Sequence, residues 1–76
     1  MGKKTEAIDM RSRRFGYFPR TFVWRGVEHV VEAVKETWTS AKSNKMTRHY
    51  FKVSCTDGRD YTIYQDIQAN VWKIEA

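Results

Sequence analysis

Val27-Glu28-His29-Val30-Val31-Glu32-Ala33-Val34-Lys35-Glu36-Thr37-Trp38 reads in two ways, and the fold class turns on the choice. Val27, Val30, Val31, Val34 and Trp38 fall at i, i+3, i+4, i+7 and i+11, the spacing of an amphipathic helix, and Glu28, Glu32, Ala33, Lys35 and Glu36 would suit its polar side. Against the helix stand the valines, Thr37, Thr39 and Trp38, all better strand formers, and Gly26 as the sole N-cap residue available. A bulge near Ala33 would let a strand change faces and keep both Val31 and Val34 inside. The bulged strand is the preferred reading and makes the chain all-β. The alternative, a helix over 27–38, would make it α+β.

The flanking sequence supports strands on both sides. Upstream, Phe22 and Trp24 alternate with Thr21, Val23 and Arg25, the period of a strand with one buried face. A two-residue turn at Arg25-Gly26 would pair Trp24 with Val27, Phe22 with His29 and Arg20 with Val31, which places Trp24, Phe22, Val27, His29 and Val31 on one face. Downstream, Thr39 to Met46 is small and polar and reads as a surface loop. His49, Phe51, Val53 and Cys55 then alternate with Arg48, Tyr50, Lys52 and Ser54 as a strand. Asp57-Gly58 signals a type I′ hairpin, after which Tyr61 and Ile63 point inward and Thr62 and Tyr64 outward. Asp66 to Asn70 makes another turn, and Val71 to Glu75 is a short last strand with Trp72 and Ile74 on one face. The expectation is an antiparallel meander of about five strands. It would curl into a small open barrel or cover one face with the N-terminal segment.

That segment, residues 1–18, shows no steady apolar period and reads as a basic, mobile tail ahead of a single β domain at 19–76. Residues 1–25 hold seven Lys or Arg against two acidic residues, whereas residues 26–76 hold seven of each, so the whole net charge of +5 lies in the first third. A chain of 76 residues allows one domain with little room for a deep pocket. Cys55, the one cysteine, cannot pair within the chain, and no membrane-span-length apolar run or signal-peptide pattern is seen, which points to a reducing, cytoplasmic setting without membrane attachment. The three Trp, four Tyr and four Phe are the expected core.

Trp24-Arg25-Gly26, His29-x-Val31, Val34, Trp38, Tyr50-Phe51-x-Val53, Tyr61-x-Ile63-Tyr64-x-Asp66 and Trp72-x-Ile74 together resemble the pattern of a small uncharacterised bacterial all-β domain family. Its members often read Trp-Arg-Gly-x-x-Tyr-x-Val at the start and Tyr-x-Leu-Tyr-x-Asp then Trp-x-Leu at the end. The resemblance covers roughly residues 20–75. It implies an all-β domain and a setting in DNA metabolism, because some members are encoded beside translesion DNA polymerase genes. His29 stands where the family usually has Tyr.

His29, His49 and Cys55 fall on inward positions but lack zinc-type spacing, and packing is the preferred reading, so no metal or other cofactor is expected. Cys55 has neither a base nor a positive environment in its flanking sequence, and no phosphate loop, nucleophile elbow or paired carboxylates are visible, so no enzyme is expected. The functional candidates are basic and aromatic. Arg11, Arg13, Arg14 and Arg20 can clamp phosphates while Phe15, Tyr17 and Phe18 stack on unpaired bases. The competing reading makes those rings an extra strand's contribution to the core, with arginines blunting its edge. Arg48, Tyr50, Lys52 and Tyr64, outward on the sheet, form a second candidate surface or ordinary cross-strand pairs.

The leading expectation is therefore a non-enzymatic nucleic-acid-binding accessory module, monomeric or weakly dimeric. The alternative is a protein-interaction adaptor that recruits a partner strand on a free sheet edge and an acidic partner on the basic tail. Salt separates the two, since phosphate binding weakens steeply with salt and main-chain pairing does not.

Overall fold

The valine-rich stretch is a bulged strand. In a computed structural model describing residues 4–41 and 46–75, it belongs to the third of six strands: β1 (Thr5–Arg14), β2 (Phe18–Trp24), β3 (Val27–Ala41), β4 (Thr47–Cys55), β5 (Asp60–Asp66) and β6 (Val71–Glu75). Each strand is antiparallel to the next, and β1 pairs with β6 to close a barrel in simple chain order. The all-β meander expected from the pattern is present, with a sixth strand that completes the ring.

β3 carries two register shifts where one was expected. Val31 lies opposite Cys55 and Ala33 opposite Ser54, leaving Glu32 as an extra residue; Val34 lies opposite Val53 and Glu36 opposite Lys52, leaving Lys35 extra. Thr37 then faces Phe51, so the positions opposite core residues of β4 are 31, 34 and 37. Val31 and Val34 pack against the core, as a bulged strand requires. β3 also continues through Thr39, Ser40 and Ala41, which the composition had placed in a loop. Residues 42–45 of that loop lie outside the described residues.

The turns follow their chemistry. Arg25 and Gly26 both have positive φ, 54° and 76°, and Trp24 pairs with Val27 and Phe22 with His29 in the expected register. Val27 shares that face but stands at the barrel rim, 57% exposed. At Asp57-Gly58 the loop is longer than the expected two-residue turn. The Gly58 N–H donates to the Cys55 carbonyl at 3.0 Å, Gly58 alone has positive φ (82°), and the Asp57 carboxylate accepts the Arg59 N–H at 2.9 Å.

The expectation of a mobile tail over residues 1–18 is corrected for residues 5–14, which form β1; residues 1–3 lie outside the described residues. Thr5 to Ile8 pair with Glu75 to Trp72 of β6, and Asp9 to Arg14 pair with Val23 to Phe18 of β2, with irregularities between Met10 and Arg13. Ile8 and Met10 pack on a core of Phe22, Phe51, Val53, Cys55, Ile63, Trp72 and Ile74. The domain therefore includes β1. Its inward face, Glu6-Ile8-Met10, does alternate, but Glu6 stands where an apolar residue would have made the period plain.

Candidate nucleic-acid interface on the outer face of the sheet

A row of aromatic rings crosses the outside of the barrel. Trp38 pairs with Tyr50 across β3 and β4, Tyr50 with Tyr64 across β4 and β5, and Tyr64 with Lys73 across β5 and β6. Antiparallel pairing brings such side chains within contact distance. The Trp38 and Tyr50 rings stack with centroids 5.2 Å apart and planes 1° from parallel, and Tyr50 meets Tyr64 at 5.0 Å and 39°. Arg48 covers Tyr64, its guanidinium carbon 4.8 Å from the ring centroid, and donates to the Tyr50 hydroxyl at 3.4 Å. That hydrogen bond raises the Arg48 pKa above its ordinary value. Under this cover Tyr64 is 2% exposed, so it serves as the base of the row and presents no face to solvent. Trp38 is 42% exposed and ends the row on β3.

Around the row, Lys52 stands opposite Glu36 and Thr62, and Arg48 opposite Ser40 and Asp66. Cations and acids thus alternate on this face; Arg48 contacts the rings, Lys52 stands two residues from Tyr50 on β4, and Lys73 pairs with Tyr64.

The N-terminal candidates do not join this surface. Arg11 contacts Asp9 at 3.4 Å. Arg13 lines a shallow groove between β1 and the turn before β6. Arg14 and Arg20 line another groove, between β2 and β3, beside Phe15. Tyr17 packs edge-on against Phe18 at 4.8 Å, Phe51 at 5.4 Å and His49 at 6.1 Å; of the three rings Phe18 packs on the core, Tyr17 stays 39% exposed and Phe15 is 88% exposed. Trp38 and Lys73 were missed as surface residues. Trp38 sat on the helical apolar pattern, and its outward position becomes readable only when the extra residue at Lys35 is counted.

The opposite end of the barrel holds a polar clasp. Glu6 accepts from the Trp24 indole at 3.0 Å and from Arg25 Nε at 2.8 Å, and pairs again with Arg25 Nη2. The Arg25 hydrogen bonds, then Trp24, hold the Glu6 carboxyl down to about 2. Nearby, the Tyr61 hydroxyl donates to Asp57 at 2.6 Å, and His29 Nδ1 lies 3.6 Å from the same carboxylate while its ring stacks on Phe22. Burial, with Asp57 and Asp60 adding to it, pushes the Cys55 thiol up to about 11, which disfavours the reactive thiolate. Among the described residues no three His, Cys, Asp or Glu side chains gather as metal ligands would.

A family model for a domain of unknown function, DUF6504, matches residues 4–75, from the residue before β1 to the last residue of β6. The chain belongs to that family. The DUF6504 unit thus includes β1 and the whole barrel. Comparison with curated proteins and with solved structures finds no match.

Proposed function

We propose that the chain is a non-enzymatic accessory module that binds single-stranded nucleic acid by extending the Trp38–Tyr50–Tyr64 stack with an unpaired base. The setting in DNA metabolism that the sequence resemblance implies belongs to the same reading. One observation carries it: a parallel aromatic stack on the water-facing side of the sheet ends in a half-exposed tryptophan on β3, a strand that beyond Val30 has no laddered neighbour on that side among the described residues. None of these rings belongs to the cluster inside the barrel, and every base has a flat face that can continue such a stack. Arg48 and Lys52 on β4 and Lys73 opposite Tyr64 on β6 are the cations that would meet the phosphates.

Titration of labelled single-stranded and double-stranded oligonucleotides at several salt concentrations tests this. Single strands should bind better than duplex. With three cations engaged, the log–log salt slope should be about −2. Trp38→Ala removes an exposed ring and should cost about 1–3 kcal/mol, about 5- to 150-fold in affinity. Equal affinity of Trp38→Ala and the parent protein would sink the reading.

A further inference from the structure

Antiparallel strands in simple chain order put their connections alternately at the two ends of the barrel. One end carries the connections after β1, β3 and β5; the other carries those after β2 and β4, together with Thr5 and Glu75. Charge divides between the ends. Among the described residues at the first end, Arg13, Arg14 and Arg48 stand against Asp66 alone. At the second, Lys4, Arg25, Arg59 and Lys73 stand against Glu6, Glu28, Asp57, Asp60 and Glu75. The first end is thus positive and the second slightly negative. Arg13 and Arg14 have no acidic partner among the described residues, whereas Arg25 at the second end is held by Glu6.

The aromatic row leads to the positive end. Trp38, Tyr50 and Tyr64 each lie within three residues of that end of their strands. Beyond Trp38 the next element across the open side of β3 is the turn after β1, since Phe15 lines one groove with Thr37, the residue before Trp38. Glu32 and Glu36 line that groove too, but lie on the far side of Trp38 from this end. The Tyr17 N–H donates to the Arg14 carbonyl at 3.1 Å, so Phe15 and Gly16 are the central residues of the turn, with φ of 56° and 67°. Asn takes the first of these positions more readily than Phe. The Phe15 ring, 88% exposed, therefore costs the fold conformationally and returns nothing to the core.

Resting on the reading of the row as a base-stacking surface, we propose that the bound single strand leaves Trp38 across this basic end, where Phe15 stacks on a further base and Arg13 and Arg14 meet its phosphates. Flat rings interleaved with unpaired cations, continuing an existing stack, suit a polymer in which bases and phosphates alternate.

Amide-shift titrations of the full chain with thymidine dinucleotide, decathymidylate and decaglutamate at several salt concentrations test the course. Trp38→Ala should weaken both oligonucleotides. Decathymidylate, and not the dinucleotide, should shift the amides of residues 13–17. Phe15→Asn, and Arg13→Ser combined with Arg14→Ser, should each weaken decathymidylate about tenfold and leave the dinucleotide unchanged. Engaging both arginines should steepen the decathymidylate log–log salt slope by about 1.4 beyond that of the row's own cations, and the double replacement should restore it. Arg59→Ser, at the opposite end, should change nothing. If Trp38→Ala weakens binding and the end variants do not, the row stands and the course is wrong; if the end variants weaken it and Trp38→Ala does not, both are wrong. The course also fails if the dinucleotide responds to the end variants as decathymidylate does, if Arg59→Ser costs as much as they do, or if decaglutamate binds as tightly as decathymidylate. Absence of any oligonucleotide binding overturns the row and the course together.

Discussion

At the scale of single residues, stability is set against exposure at two places. Phe15 holds a left-handed conformation that Asn or Gly adopts freely. Phe15→Asn should therefore stabilise the fold by about 1 kcal/mol, raising the melting temperature by about 4–8 °C in a domain of this size; a lower melting temperature would show that the ring supports the hairpin. Glu6 works the other way. Its carboxyl is held at about 2 in the folded chain against an ordinary 4.5, so the clasp to Arg25 and Trp24 contributes fully above about pH 4.5 and is lost as the pH falls toward 2. Asp57, lowered by Tyr61, and Asp60, lowered by Lys35, push in the same direction. The urea midpoint should drop on acidification through this window, and drop less in Glu6→Gln. Identical pH profiles for the two proteins would remove Glu6 from the account.

At the scale of elements, β3 shows why the sequence supported two readings. Its extra residues at Glu32 and Lys35 stand three apart, so the positions opposite β4's core residues, 31, 34 and 37, recur every three residues. That spacing imitates a helix, and propensity had to decide between them. The strands β4, β5 and β6 and the Arg25-Gly26 turn were legible because plain alternation and glycine chemistry agree there. β1 was not, since two apolar residues and one acid make too short a period, and the partners that give them meaning lie in β2, β6 and the turn after β2. The outer aromatic row was half legible. Tyr50 and Tyr64 followed from alternation on β4 and β5, but Trp38 needed the register of a strand with two bulges, which a single sequence does not announce. Tyr64 was rightly placed outside the barrel, yet its burial under Arg48 and Tyr50 depends on neighbours across two strands.

At the scale of the whole molecule, β1 decides whether there is a barrel. It bridges β6 along its first half and β2 along its second, and supplies Ile8 and Met10 to the core. A chain beginning at residue 19 keeps the hairpins but leaves β2 and β6 each with an open flank, and should lack the dispersed amide spectrum and cooperative melting of the full protein. A folded, cooperatively melting truncation would mean that β1 is an accessory. The same closure bears on how the structure is reached. Each hairpin from β2 to β6 joins neighbours in the chain and can zip locally, whereas Thr5 must meet Glu75 across nearly the whole length. During synthesis the first strand leaves the ribosome long before its second partner exists, so the nascent chain carries β1 as an unfinished edge until β6 emerges to complete the ring.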